Sequence, residues 1–383
     1  MLIVSIKISL SWLILPHCLS FKPHREPRSH NGNMRRKTRF VCVSDTHGYT
    51  PAEAGFKLPA GDVLIHAGDL TNQGSITELR KTIDWVAAAE FEVKIVICGN
   101  HDITLDPNFY AKHGPKFHSQ RLEDPQKCIE VVTASSSIIF LRHQSALVRL
   151  TRPNGPNTIF KVFGSPFSQS PGTWAWGYES ADAAALWSHI PLDADLVVTH
   201  TPPHSHCDRR ATGGSVGCEA LRQALGRVRP SLAICGHVHE SRGYERVRWP
   251  LSPLTGSEQV IRGALPEPGS KKQSLIDLTG KKAQRLDNDD FFFDEVKNNQ
   301  GVSFPSAQNI LILPSADVPG ESTTSYPRLR PDKCPSDPPI DRSRRRETCI
   351  VNAAIMATSW PHRGGKRFNP PIVVDLELPV WRE

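Results

Sequence analysis

Nine cysteines are spread over 383 residues without a single Cys-x-x-Cys pair, and no asparagine begins an Asn-x-Ser/Thr acceptor. The odd count, with Cys42, Cys98 and Cys235 each inside an apolar run, argues against a disulfide framework and marks these three as small buried hydrophobes. With the glycosylation acceptor also missing, a reducing, cytoplasmic setting is expected. Long apolar runs are scarce too. Residues 8–19 are mostly apolar but too few to cross a bilayer comfortably, so no integral membrane span is expected. Cys18 and Ser20 would suit a signal peptidase, which makes secretion the alternative if residues 1–20 act as a signal. Against that, no basic residue precedes Lys7, and the segment runs into Pro16 and His17. Met34 stands six residues before the first apolar run, leaving 1–33 open between a leader, a tail and untranslated sequence.

A strong charge of one sign is missing from most of the chain. The formal net charge is +7, and residues 22–39, where Glu26 alone opposes seven Lys and Arg, carry +6 of it. That stretch reads as a solvated, disordered arm. The near-neutral remainder offers no concentrated basic groove, which counts against a nuclease, and no specific nucleic-acid partner is expected. Arg344-Arg345-Arg346 is too short to supply one. At 38% hydrophobic residues the chain lies somewhat below a globular average, so part of it should stay unpacked.

What is present is a set of five apolar runs of β type, each ending in a polar cluster. Residues 40–43 precede Ser44-Asp45-Thr46-His47, 63–65 precede Gly68-Asp69, and 93–98 precede Gly99-Asn100-His101-Asp102. Residues 196–198 precede Thr199-His200, and 232–235 precede Gly236-His237-Val238-His239. Such Val/Ile/Leu runs suit strands buried on both faces. Between them, Ile76, Leu79, Ile83 and Val86 repeat at helical spacing over 75–90, with Ser75 and Glu78 placed for a capping box. Residues 183–190 and 219–225 read as helices too, the second ending near Gly226 and Pro230. Strand and helix alternate, which predicts an α/β layered architecture. Short runs at 129–132, 138–141, 146–150 and 158–163 predict a second, more antiparallel sheet. Trp174, Trp176 and Tyr178 could line a pocket, although core packing is the reading favoured for each ring.

After a further strand at 242–249, twelve of the 32 prolines fall between Pro250 and Pro339 and periodicity fails. The expected organisation is a leader or disordered basic tail over 1–39, a main domain over 40–249, a low-complexity insertion over 250–346, and strands completing the same domain over 347–383. Within the insertion, 291–296 and 308–313 could order locally. Its protein partners are not legible.

Asp45 and His47, and likewise His237 and His239, stand at i and i+2, where an extended backbone would send both side chains to one side. Carboxylate, imidazole and Asn carbonyl form a donor set for Mn, Fe or Zn. Asp45, His47, Asp69, Asn100, His200, His237 and His239 make seven candidate ligands, more than one ion needs; a bridging Asp69 would divide them into two centres. His204 and His206 are surplus. An exposed loop is the expected setting for both, with substrate contact by His204 as the alternative. His66, inside the second strand, is expected in buried packing.

In this order and spacing, Asp-x-His, Gly-Asp, Gly-Asn-His-Asp, a lone His after a strand and Gly-His-x-His resemble the calcineurin-like metallophosphoesterase superfamily. Gly164-Ser165-Pro166-Phe167, Thr201-Pro202-Pro203, Val351-Asn352-Ala353 and Val373-Val374-Asp375-Leu376 are similar to its metallophosphoesterase-domain-containing branch, grouped with class III cyclic-nucleotide phosphodiesterases. The resemblance implies a four-layer αββα sandwich holding two metal ions, one on Asp45, His47, Asp69 and His239, the other on Asp69, Asn100, His200 and His237. It further implies in-line attack of metal-bound hydroxide on a small phosphodiester such as a cyclic nucleotide. His101 would be the general acid, its ring oriented by Asp102. A phosphomonoesterase or protein phosphatase, and a non-catalytic binding scaffold, are the alternatives. Family members close directly from Gly-His-x-His into the last strands, whereas here about a hundred residues intervene.

Overall fold

The basic stretch before Phe40 is partly strand. In the computed structural model, which describes residues 34–169, 174–251, 257–267, 272–288, 309–313, 345–359 and 361–381, β1 runs Arg35–Val43. Arg39 forks onto Asp375 at 2.6 and 2.7 Å, across a pairing that runs from Arg35 opposite Pro379 to Cys42 opposite Ile372. Residues 35–39 are therefore no solvated arm, because a partner strand supplies both main-chain pairing and a carboxylate.

The remaining strands are β2 (Val63–Ala67), β3 (Val93–Ile97), β4 (Ile138–Leu141), β5 (Gln144–Arg149), β6 (Ile159–Ser165), β7 (Leu196–Thr199), β8 (Leu232–Cys235), β9 (Gly243–Arg248), β10 (Gln259–Gly263), β11 (Ser274–Asp277), β12 (Ile310–Ile312), β13 (Glu347–Asn352) and β14 (Ile372–Pro379). They form two sheets, ordered β11-β14-β1-β2-β3-β4 and β10-β9-β13-β8-β7-β6-β5-β12. The helices are α1 (Pro51–Ala54), α2 (Ile76–Ala88), α3 (Pro107–Phe117), α4 (Pro125–Thr133), α5 (Ala183–Ser188) and α6 (Glu219–Val228).

Alternation along the strands builds the layers. Phe40, Cys42, Val63 and Ile65 face Phe160, Val162, Val198 and Ile234 in the core between the sheets. Val41, Val43 and Leu64 point the other way, onto Leu79, Ile83 and Val86 of α2 and Val132 of α4. On the far side Val197 and Ala233 pack against Leu186 and Trp187 of α5 and Leu221 and Leu225 of α6. Helices thus cover both outer faces, giving the expected αββα sandwich, and each fully buried aliphatic or Phe side chain contributes about 1.5–3 kcal/mol.

Several expectations change. Residues 129–132 belong to α4, not to a strand: Pro125 stands in the first turn and the Asp124 carboxylate accepts from the N–H groups of Gln126 and Lys127, so the cap outweighs the β-branched composition. β4 joins the first sheet parallel to β3, while β5 and β6 do pair antiparallel in the second. Helix α3 was not anticipated; Asp106 caps it and Pro107 opens it. Helix α6 runs on to Val228, where left-handed Arg229 ends it. The Pro-rich stretch contributes three short edge strands, β10, β11 and β12. Of its two segments expected to order locally, the later one holds β12, and 291–296 lies outside the described residues. Helix α2 and its Ser75–Glu78 capping box form as expected.

Candidate metal centre

Every expected ligand follows a buried strand, in a loop for all but His239, which opens a short 3-10 turn. Asp45 and His47 follow β1, Asp69 follows β2, Asn100 follows β3, His200 follows β7, and His237 and His239 follow β8. The carboxyl ends of these strands meet where the two sheets adjoin. There the Asp45 N–H donates to the Gly68 carbonyl at 2.9 Å and the Gly236 N–H to that of His200 at 3.1 Å.

The side chains converge through turns rather than through extended backbone. Asp45, His47, Asp69 and His237 have φ of 55°, 45°, 52° and 67°, the left-handed region, so strand alternation is not what brings the i, i+2 pairs together. Each such residue costs about 1–3 kcal/mol, and the cost is held by surrounding contacts. One is the Asp45 carboxylate, which accepts the His237 N–H at 3.0 and 3.1 Å. Close backbone approach completes the geometry: a Cβ on Gly99 would stand 2.2 Å from Asp69 Oδ1, and one on Gly236 2.0 Å from Ser44 Oγ.

Three imidazoles share one orientation. Nδ1 of His47, His200 and His239 donates to the main-chain carbonyls of Thr71, Ala67 and Thr358, at 3.2, 2.9 and 3.1 Å. That choice leaves Nε2 of each ring facing inward. The His47 and His239 Nε2 atoms are 3.3 Å apart, His239 Nε2 is 3.3 Å from Asp45 Oδ1, and His200 Nε2 is 3.3 Å from Asp69 Oδ1 and 3.1 Å from Asn100 Oδ1. Donor atoms within 4.8 Å of one another form three overlapping groups: Asp45, His47 and His239; His47, Asp69 and His101; Asp45, Asp69 and His200. His237 enters none of them, although its ring lies 5.1 Å from that of His200.

Charge follows from this crowding. Burial disfavours charge on every group, and it takes His47 down to about 3 and His237 to about 4. At His200 and His239 the carboxylates of Asp69 and Asp45 more than reverse burial, raising both to about 9. The same contacts hold the Asp45 and Asp69 carboxyls below their ordinary range despite burial. Two buried carboxylates thus draw positive charge into a pocket of inward-facing nitrogen and oxygen donors. A cation of the Mn, Fe or Zn class fits that donor set, and imidazoles fixed through Nδ1 to carbonyls are the arrangement that metal-binding histidines adopt.

His101 lies at the edge of this pocket, its N–H donating to Asp69 Oδ1 at 2.9 Å. Its ring is not oriented by Asp102. Nδ1 donates to the Asn72 carbonyl at 2.7 Å, and Trp174 covers the ring at a centroid distance of 4.0 Å. The Asp102 carboxylate is turned inward, where it accepts from the N–H groups of Gly99, Leu70 and Thr71 and from the Thr71 hydroxyl. Those donors capture it because burial leaves a carboxylate no solvent. Asn72 was missed by sequence reasoning; its main-chain oxygen does the holding, and its side chain donates to the His47 carbonyl and to Glu78 of the α2 capping box. The polar run behind Gly68-Asp69 was the available signal.

Other histidines fall elsewhere. His204 is outside the three groups, with Nδ1 3.5 Å from Glu219. His206 is not exposed but buried, bonded to Glu245 at 2.9 Å and Glu258 at 3.1 Å. His66 is buried against Thr46. Trp176 and Tyr178 are core residues. Arg345, from the short arginine run, is buried on Asp195 at 2.8 Å. All seven described cysteines are free and buried, and no helix among the described residues is long and apolar enough to cross a membrane.

Comparison with known proteins matches this arrangement. The family model for calcineurin-like phosphoesterases covers residues 38–241, more than half of the chain. Human metallophosphoesterase domain-containing protein 1 is 36% identical over 215 residues, 54% of this chain and 62% of that protein. A Caenorhabditis elegans UPF0046 protein is 29% identical over 239 residues, 61% of this chain and 60% of its own length. A protein of Emericella nidulans named probable rhamnogalacturonate lyase C is 41% identical over 225 residues, which are 57% of this chain but 19% of that protein. The chain thus spans less than two thirds of each of these relatives. The motifs, the sandwich and the match over residues 38–241 together make this chain a member of the calcineurin-like phosphoesterase family.

Proposed function

We propose that this chain is a dinuclear metal-dependent hydrolase of phosphoesters that acts on a small phosphodiester such as a cyclic nucleotide. The observation that carries the reading is the set of three Nδ1-anchored histidines whose Nε2 atoms face inward, that of His200 3.3 Å from Asp69, that of His239 3.3 Å from Asp45, and those of His47 and His239 3.3 Å from each other. One ion falls to Asp45, His47, Asp69 and His239, the other to Asp69, Asn100, His200 and His237, with Asp69 shared. Bound there, the two cations supply Lewis-acid activation of water and neutralise the phosphoryl oxygens.

This chain's own residues do the rest. Asp69 couples the two positions while its Oδ1 fixes the main chain of His101. With Nδ1 committed to the Asn72 carbonyl, His101 presents Nε2, the atom from which a proton can reach a departing ester oxygen. Trp174 limits rotation of that ring. Asp102 positions the 69–72 and 99–102 loops against each other.

The test is hydrolysis of bis(p-nitrophenyl) phosphate against p-nitrophenyl phosphate by the Mn²⁺-loaded chain, with Asp69→Ala as control. Preference for the diester that vanishes in the control is the expected result. Monoester preference would replace the diesterase with a phosphatase. Metal binding with neither ester cleaved under Mn, Fe or Zn would overturn the hydrolytic reading in favour of a scaffold.

A further inference from the structure

The hairpin between β13 and β14 is hung from both flanks of the candidate centre. It is closed by the bridge between Met356 and Phe368 and by the Ala357 N–H donating to the Arg367 carbonyl at 2.8 Å. On one side the Thr358 carbonyl accepts from Nδ1 of His239 at 3.1 Å. On the other, the Lys366 ammonium donates to the hydroxyl of Tyr49, two residues beyond His47, at 3.0 Å and lies 4.8 Å from the centroid of its ring. Phe368 packs on the same tyrosine, with ring centroids 4.9 Å apart. Gly364 and Gly365, at φ of 83° and 90°, make the turn possible.

Its charge is uncompensated. Arg363, Lys366 and Arg367 lie between Thr358 and Phe368 with no acidic residue in that span. All three are exposed, and none forms an ion pair with a described residue. The groups that Lys366 does touch, a phenol oxygen and an aromatic face, are neutral. Two metal ions suffice for the scissile phosphoryl group, so the further positive charge that Lys366 holds on Tyr49, with Arg363 and Arg367 on the same hairpin, exceeds what that group needs. Guanidinium and ammonium groups recognise phosphate through charge-assisted hydrogen bonds, and a fixed positive patch beside a cleft concentrates anions there.

We infer that Arg363, Lys366 and Arg367 form a second-anion subsite, and that the substrate is a small molecule carrying a phosphate in addition to the one cleaved. This rests on the phosphoesterase reading above and narrows its substrate class to phosphodiesters that bear a further phosphate, which a cyclic mononucleotide with its single phosphate does not. Lys366 supplies the contact nearest the centre, and Arg363 and Arg367 supply the outer ones.

Titration calorimetry on the Mn²⁺-loaded full chain, with butane-1,4-diphosphonate and butylphosphonate as uncleavable probes, tests it. The diphosphonate is expected to bind at least tenfold more tightly. Arg363→Gln combined with Lys366→Gln should erase that preference, weakening the diphosphonate about tenfold more than the monophosphonate. Equal affinities in the wild type, or equal losses on both probes, overturn the subsite. Sedimentation with phosphatidylserine vesicles that the double variant abolishes, without any diphosphonate preference, overturns it in favour of a lipid-facing patch. A preserved diphosphonate preference in a wild type that cleaves neither nitrophenyl ester supports the subsite and removes only the hydrolytic reading.

Discussion

The Nε2 atoms of His47 and His239 lie 3.3 Å apart although 192 positions separate the two residues. Both rings donate Nδ1–H to a main-chain carbonyl, so two lone pairs meet unless a proton or a cation lies between them. A cation bound there would couple the loop after β1 to the Gly-His-x-His loop. Mn²⁺ at a hundredfold excess over its Kd should stabilise the fold by about 2.7 kcal/mol for each ion bound, or about 4–5 °C in Tm per ion for a domain of this size. Chelation should reverse the shift, and His239→Ala should abolish it. Thermal unfolding indifferent to metal in the wild type would remove the centre.

His101 is held by Asn72 and Trp174, and the proposed acid role would use its Nε2. His101→Ala should cost on the order of 10² to 10⁴ in kcat on esters with alkoxide leaving groups, and little on p-nitrophenyl esters, whose leaving group needs no proton. A leaving-group series on wild type and variant reads this out. Equal losses across the series would assign His101 to the ligands instead, as its proximity to His47 and Asp69 allows.

Asp102 has a different job from the one its motif implies. Alanine there strands four buried donors, those of Gly99, Leu70 and Thr71, at a cost on the order of 2–4 kcal/mol. Because Leu70 and Thr71 follow Asp69 directly, metal affinity should fall along with stability. The leaving-group dependence, in contrast, should keep its wild-type slope. Urea unfolding, metal titration and the same ester series separate the outcomes, and a slope changed like that of His101→Ala would restore Asp102 to the ring.

Legibility tracked burial on both faces. β2, β3 and β8 were readable because their aliphatic residues alternate between the core that joins the sheets and an outer one, Leu64 and Val96 on one side and Ala233 on the other, and α2 because Ser75 and Glu78 sit in register ahead of its apolar stripe. Residues 129–132 misled because their β-branched composition outweighed the Asp124-Pro125 start signal. The edge strand β10 was unreadable for the opposite reason: Val260 and Ile261 are 41% and 61% exposed, so no hydrophobic pattern selects that strand. In the site, residue types carried the donor set, but not the left-handed backbone at Asp45, His47, Asp69 and His237, which depends on contacts with distant loops. Asn72 was hidden because its main-chain oxygen acts on His101, and every residue has one.

His206 provides a pH test well separated in role from the metal ligands. Burial disfavours its charged form, but hydrogen bonds to Glu245 of β9 and to Glu258 raise it to about 9; Arg222 of α6 and Arg262 of β10 pair with the same two glutamates. An unfolded histidine titrates at about 6.5. The folded value is the higher one, so the imidazolium contributes its full stability below about 6.5 and loses it as pH rises through 9. The two glutamates are lowered, so their share is present above their unfolded range and lost as pH falls through their folded values. The His206 share of urea stability should therefore be lost between pH 6.5 and 9, about 3 kcal/mol at most, so that the wild type declines more steeply than His206→Gln, in which His200 and His239 still titrate. Parallel declines in the two proteins would show that His206 is neutral in the folded state and that the Glu245–His206–Glu258 chain carries no net charge coupling.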